Sequence, residues 1–472
     1  MGDLLPFSSS GEVFNWLSRF IPPEPGLNSR TFRLDRMELL ACLAGHPEGS
    51  APVIHAAGSK GKGSVIGMIT RVLETAGLSP VRYMSPHVTE YRERITGGAG
   101  FFDEALYAGA GNELRALTES LADPAKDPLG LFNTARDGEE PAFFELLTLY
   151  FFLCARRARC RSMAVETGMG GRLDATNIVD PLVSVITMIE LEHTEYLGDS
   201  LGKIAAEKGG IIKPRRPVIL AEQVPEALGI LRGIAAEREA PLYYFPDLVR
   251  IEGLRVHRGG TDFSLVFNEK NLFSGPLAIS LAIPGAVQAK NAGLAVLALK
   301  TAFPGIGDDT ICRGLAGFSL PARFEKLRDD PPLVIDGAHT PKSAELCLET
   351  FTGLYGEGGI LIFGCAAGKN AGAMAAALLP HFSRVIITTP GSFRRNDPEA
   401  VYGTFWEEAR RMGIFEQAGE TQKPSPLTLI RDTEAALGHA LELGGKDGLP
   451  ILALGSFYLA AELRRLYPPR EE

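Results

Sequence analysis

Short apolar runs ending in glycine, proline or polar residues alternate along this chain with longer stretches of helical periodicity. Pro52–Ala57, Ser162–Glu166, Leu182–Ile189 and Pro217–Leu220 read as buried strands, being brief, largely apolar and bounded by turn formers. Ser64–Ala76 and Phe143–Arg156 read as helices between them. Leu333–Asp336, Ile360–Gly364, Val385–Thr389 and Ile451–Gly455 continue the pattern, each followed by a helical stretch. Such alternation implies parallel sheets covered on both faces. The rhythm breaks between Leu242 and Ile283, where Leu254–His257 and Asp262–Phe267 flank the hairpin signal Gly259-Gly260. A small antiparallel subdomain is expected there. Gly317–Pro321 reads as the boundary between two α/β domains, and Asp123–Pro141, rich in Pro, Gly and charge, as a surface insertion.

At 472 residues the chain has room for two or three domains. A formal charge of −9 leaves no basic surplus for nucleic acid. The six cysteines are scattered without C-x-x-C spacing, so reduced thiols in a cytoplasmic protein are expected. The first residues lack a basic stretch followed by a long apolar run, and no apolar run reaches the ~18 residues a membrane span needs.

The strongest chemical signal is VIHAAGSKGKGS, Val53–Ser64. A strand runs into Gly58, Gly61 and Gly63 with Lys62 among them, then into a helix. Glycines let successive N–H groups face one anion, and the helix N-terminus adds partial positive charge. The spacing departs from the usual phosphate loop, since Ala56 holds the first-glycine position and Gly63 separates Lys62 from Ser64. A glycine-rich turn with a solvated lysine is the other reading. Glu166 ends its strand either paired with Arg172 or at the edge where α/β ligands bind. IELEHTEYLG gathers Glu190, Glu192, His193 and Glu195 on one loop, and imidazole plus carboxylate can hold a divalent ion. Lys208, taken alone, reads as solvated.

Five blocks in order resemble the folylpolyglutamate synthase/dihydrofolate synthase family, a branch of the Mur-type ligases. They are GSKGKGS, SPHVTEYRERI (Ser85–Ile95), ETGMGGRLDATNIV (Glu166–Val179), EHTEYLGDSLGKIAAEKGGIIKP (Glu192–Pro214), and PARFE with LVIDGAHTP (Pro321–Pro341). The resemblance implies an α/β fold with a P-loop-type parallel-sheet ATPase domain over residues 1–319, its small antiparallel β subdomain at about 242–283. A C-terminal Rossmann-like glutamate ligase domain would cover residues 320–472. It implies that Gly58, Lys60, Gly61, Lys62, Gly63 and Ser64 cradle the ATP phosphates. Ser85, Glu145 and His193 are similar to magnesium ligands, and Lys208 to a lysine carried as a carbamate. Asn291 would meet the adenine, Arg323 the phosphates and Asp336 the ribose. Lys62, Lys208, His339 and Ser456 would serve the reaction itself.

That reaction activates a carboxylate of dihydropteroate or tetrahydrofolate with ATP and joins it to L-glutamate, in a cytoplasmic monomer without nucleic-acid or membrane partners. The sequence departs from the family at Ser59 and Lys60 of the loop, at Glu192, Val287 and Thr340, and at Gly368-Lys369-Asn370. Those changes keep two other readings open, a Mur-type ligase with another acid acceptor and a non-catalytic nucleotide-binding relative. For the pteridine end, Trp16 and Arg36 are candidates beside the plainer readings of a buried tryptophan and a solvated arginine.

Overall fold

The computed structural model describes residues 5–21, 33–132, 140–268, 275–391, 396–414 and 426–467. The PPEP segment and the middle of the Asp123–Pro141 insertion lie outside the described residues. Seven strands form the first sheet: β1 (Val53–Ala57), β2 (Pro80–Tyr83), β3 (Ile95–Gly97), β4 (Ser162–Glu166), β5 (Val183–Ile186), β6 (Val218–Leu220) and β7 (Leu242–Tyr244). Their order is β3-β2-β4-β1-β5-β6-β7, and only β3 runs antiparallel. From β1 the chain turns to one side of the sheet, and after β4 it crosses to β5 on the other. The carboxyl end of β1 is therefore the switch point at which open α/β sheets bind ligands.

Both faces are covered, as the apolar strands require. The helix Lys62–Thr75 buries Val65, Ile66, Ile69, Val72 and Leu73 on one face, beside the helix Ala286–Ala302. The helix Phe143–Arg157 buries Leu146, Leu149, Tyr150 and Leu153 on the other, with Ser10–Ser18 and Glu104–Ser120 around it. Each fully buried large apolar side chain of this kind contributes about 1.5–3 kcal/mol. Trp16 sits between Phe7 and Phe20 in an aromatic row at this face.

A small antiparallel sheet follows, formed by β8 (Val249–His257), β9 (Gly260–Phe267) and β10 (Leu277–Leu281). Its hairpin turns where Gly259-Gly260 signals it. The stretch from Leu242 is not part of it, because Leu242–Tyr244 pairs with β6 and closes the first sheet. The remaining strands, β11 (Glu325–Asp329), β12 (Pro332–Ile335), β13 (Gly359–Phe363), β14 (Phe382–Ile387), β15 (Leu427–Leu429) and β16 (Ile451–Leu454), form a second sheet in the order β11-β12-β16-β13-β14-β15. Only β11 is antiparallel. Val88, on the loop after β2, packs against the core of this second sheet and ties the two units together.

Among the described residues no helix is long and apolar enough to cross a membrane. All six cysteines are free thiols.

One turn at the carboxyl edge rests on a single buried carboxylate. Asp174 accepts the amides of Met169 and Thr176 and the hydroxyl of Thr176, which His55 meets from β1 at 2.8 Å. Asp174→Ala would strand those buried donors, at about 1–3 kcal/mol for each group left unsatisfied. Urea denaturation should therefore show a loss of at least about 2 kcal/mol, and an unchanged midpoint would exclude this role.

Candidate active site

The loop after β1 is fastened before it reaches any ligand. The amides of Ser59 and Lys60 both donate to the Met188 carbonyl, and the Ser59 hydroxyl exchanges hydrogen bonds with the backbone of Glu190. The helix then starts at Lys62 with Gly61 as its cap in the left-handed region (φ 91°). A Cβ on Gly61 would stand 2.6 Å from Asn291 Oδ1, and one on Gly58 would stand 1.9 Å from Thr187 Oγ1. Only glycine fits at either place. The first-turn amides of this helix have no intrahelical acceptor, which makes its mouth a site for anions. Lys62 Nζ bends over that mouth, 2.8 Å from the Gly58 carbonyl and 3.9 Å from Glu166.

Lys60 takes a different course from Lys62. Its amide is spent on Met188, and its amine faces Glu192 and Glu190, which oppose the burial that lowers its pKa. Ser64 is buried in the first turn.

The carboxylate that meets the loop is Glu166. One oxygen faces Lys62 and the other accepts the amide of Ser85 at 3.2 Å. Burial raises its pKa, and Lys62, the Ser85 amide and Arg323 pull the other way. The open pairing with Arg172 is not made, since that guanidinium binds Glu207.

Glu145 does not join this group. Its two oxygens are taken by Arg36, at 2.9 and 3.0 Å, and by the amide of Ala142. Arg36 is thus neither solvated nor free for a pterin; it is buried, paired with Glu145 and stacked on Phe132. The sequence block FFELLT pointed to Glu145 as a metal ligand, but its carboxylate has a structural partner 109 positions away.

Lys208 is buried, contrary to its plain reading. Its amine donates to the Gly58 carbonyl and to Glu192, each at 2.9 Å. Desolvation, reinforced by Lys62, lowers its pKa to about 8 against the pull of Glu192. Against its own desolvation, Glu192 is drawn down by Lys208 and Lys62. His193 follows in the left-handed region (φ 48°), and desolvation keeps it toward the neutral form. Among the described residues no three His, Cys, Asp or Glu side chains converge to hold a metal unaided.

The second sheet faces this edge with its own groups. Burial lowers the pKa of Arg323, which lies over the Phe457 ring at 4.4 Å, with Asp336 and Glu166 as its opposing charges. Asp336 accepts the amides of Phe324 and Ala338 and so holds the turn that carries Arg323. His339 donates from Nδ1 to the Gly337 carbonyl at 2.8 Å, leaving Nε2 as the acceptor, and burial drops its pKa to about 3. Ser456 caps the helix Phe457–Leu466 by accepting the amide of Tyr458, which places the ring under Arg323. Two departures from the family prove to be caps. Thr340 begins the helix Pro341–Tyr355 and Asn370 begins Ala371–Leu378, each through its side-chain oxygen. Asn291, beside Gly61, is hydrogen-bonded to Gln288.

Residues 322–457 match the model of the Mur ligase, glutamate ligase domain. A dihydrofolate synthase/folylpolyglutamate synthase from Bacillus subtilis is 32% identical over 322 residues, covering 67% of this chain and 71% of that protein. The chain belongs to the folylpolyglutamate synthase/dihydrofolate synthase family. It is thus an enzyme, an ATP-dependent ligase. A probable bifunctional folylpolyglutamate synthase/dihydropteroate synthase from Halobacterium salinarum is 30% identical over 443 residues; they make up 94% of this chain, which spans only 49% of that relative. Among solved structures, Mycobacterium tuberculosis folylpolyglutamate synthase complexed with ADP and AMPPCP superposes with a TM-score of 0.83. It is 26% identical, covering 98% of this chain and 100% of that one.

The two glutamates should separate cleanly in this ligase. Glu145→Ala removes the carboxylate that balances the buried charge of Arg36 and should cost about 3–5 kcal/mol in chemical denaturation. Replacing both partners, as Arg36→Met with Glu145→Leu, should recover much of that loss. Glu166→Gln should instead keep the unfolding midpoint near its original value and weaken nucleotide binding, read by calorimetry with ADP. The reverse pattern would restore Glu145 to the site.

Proposed function

We propose that this protein is a bifunctional dihydrofolate synthase/folylpolyglutamate synthase, joining L-glutamate to the carboxylate of dihydropteroate or tetrahydrofolate. Residues 1–319 would bind the ATP phosphates, with the small β subdomain as an appendage, and residues 320–472 would close over them. The observation that carries this reading is the meeting of Lys62, Ser85 and Glu166 from one sheet edge with Arg323 from the other, above a helix N-terminus.

In the proposed reaction a carboxylate oxygen of the acceptor attacks the γ-phosphorus of ATP. The bond to ADP breaks and an acyl phosphate forms. The amine of glutamate then attacks the acyl carbon, phosphate leaves with the bonding pair, and the amine proton passes to solvent or base. Phosphoryl transfer of this kind depends on positioning and charge neutralisation. Lys62 and the helix amides would hold the β- and γ-phosphates, and Arg323 would meet the charge from the opposite side. Asn291 would meet the adenine, and Asp336 the ribose through its remaining lone pairs. His339, neutral with Nε2 as an acceptor, suits the approach of an amine. Closure of the two units would exclude water that otherwise hydrolyses the acyl phosphate.

Ser85, Glu166 and His193 would hold a magnesium ion, which polarises the phosphates when bound. The donor set fits, because magnesium takes one or two carboxylates and leaves its other positions to water and phosphate. Lys208 is proposed to carry a carbamate, since its pKa near 8 leaves the amine partly neutral at physiological pH.

The first test is ADP release with ATP, magnesium, glutamate and either acceptor. Lys62→Ala should abolish turnover without loss of fold; activity retained would remove the loop from the mechanism. The carbamate requires the neutral amine, whose fraction grows as pH rises through about 8. Activity should accordingly climb with pH across that value and with added bicarbonate. Lys208→Ala should be inactive and partly rescued by a short carboxylic acid. Indifference to bicarbonate at pH 7 to 8, combined with no rescue, would exclude the carbamate.

A further inference from the structure

Arg82 is a half-buried arginine whose enclosed Nε makes no hydrogen bond among the described residues. On β2 the neighbouring Val81 and Tyr83 enter the core under the helix Phe143–Arg157, so Arg82 lies on the opposite face. Met84 shares that face, and its methyl group reaches the start of the helix Lys62–Thr75. The strand register sets Arg82 between Ala164 of β4 and Thr96 of β3. One row nearer the carboxyl edge, the same face carries Glu166, Met84 and Arg94.

Glu93 and Glu166 oppose the desolvation of Arg82 through their charge, and neither forms an ion pair or hydrogen bond with it among the described residues. Its Nε is fully buried and makes no hydrogen bond, and the same holds for Thr96 Oγ1 beside it. The nearest acids are already engaged. Glu93 accepts the amides of Val88, Thr89 and Glu90, while Glu166 faces Lys62 and Ser85. Arg94, above, donates one hydrogen bond to His87 and looks toward Glu166 and Tyr458. A half-buried guanidinium beside a buried hydroxyl, with unused donors at Nε and Oγ1, forms a receptor that a planar anion can reach.

We infer that Arg82, with Thr96 beside it and Arg94 above it, receives the α-carboxylate of an acceptor that already carries a glutamate. The inference rests on the folate-ligase reading and deepens it. The reacting γ-carboxylate must lie by Glu166, Ser85 and Lys62. In a glutamyl acceptor the α-carboxylate is four bonds of ~1.5 Å away, roughly 5 Å in space. Adjacent rows on one face of a strand are about 7 Å apart, and the long arginine side chain spans the difference. Dihydropteroate has no second carboxylate and gains nothing from the pocket. Arg82 is therefore a specificity residue, favouring acceptors that have been glutamylated at least once.

The test compares KM for tetrahydrofolate with KM for dihydropteroate in the unsubstituted enzyme and in Arg82→Leu and Arg82→Lys. Arg82→Leu should raise the tetrahydrofolate-to-dihydropteroate KM ratio at least tenfold, the loss of one charge-assisted hydrogen bond. Arg82→Lys should recover part of it. The thermal midpoint of the unliganded Arg82→Leu protein should not fall, because no internal bond is broken. If only tetrahydrofolate is turned over, its KM is compared with that for ATP instead. An unchanged ratio, or a lowered midpoint with every KM rising together, would overturn the pocket and leave the ligase reading standing. Silence of the unsubstituted enzyme with both acceptors would overturn the ligase reading, and the pocket with it.

Discussion

The cleft is organised around the charge of Glu166. It sits at the end of β4, next to the switch point, and among the described residues it is the one carboxylate that faces the loop lysine, the Ser85 amide and the arginine of the opposite sheet together. Burial alone would favour its neutral form. Surrounding donors and cations offset part of that cost while its pKa stays raised, so its ionisation depends on Lys62 and Arg323 staying in place. The loop in turn can present Lys62 only because Ser59 and Lys60 are tied to Met188 and Glu190. Fastening the backbone first leaves the side chain and the helix amides for a ligand.

The same electrostatics bears on closure. Lys60, Lys62 and Lys208 belong to the first sheet, while Arg323 and Lys369 approach from the second. Like charges act across the gap, since Lys369 depresses both Lys60 and His193, and Lys60 depresses His339. With the cleft empty both histidines are held neutral, and Lys60 and Lys369 repel. A polyphosphate between them reverses the sign of the interaction, so a ligand with that charge has a differential affinity for the closed state, the condition for driving a conformational change. Val88, packed against the core of the second sheet, gives the two units a contact that does not depend on the ligand.

Much of the fold was legible because the strands are short, apolar and doubly buried; Ser162–Glu166 was read to the residue. What escaped were short or edge strands. β2 contains an arginine among four residues, β3 has three residues, and β11 is largely charged, so none carries a periodic signal. The phosphate loop was legible for a different reason, as its glycines, lysine and flanking elements are contiguous. Pairings distant in sequence were not. Glu145 and Glu166 each stand in an apolar context followed by a helix or turn, and no local pattern tells which meets Arg36 and which meets Lys62. That choice is made by the sheet order, which brings β4 beside β1. Lys208 was equally opaque, for its burial depends on how the helix Leu201–Gly209 lies against the Gly58 carbonyl.

The departures from the family pattern fall mostly where chemistry makes little demand. Thr340 and Asn370 need only a side-chain oxygen to cap a helix, a task that Ser, Thr, Asn and Asp share. Ser59 uses its hydroxyl to staple the loop and Glu192 supplies a carboxylate to Lys208. Lys60 is the exception, since it introduces a charge. That charge is absorbed by Glu190 and Glu192 on the first sheet, yet it is also felt at His339 on the second. A neutral residue there would leave His339 facing fewer cations and a higher pKa. Lys60 therefore acts in the same direction as burial, keeping the imbalance of the cleft positive and His339 an acceptor.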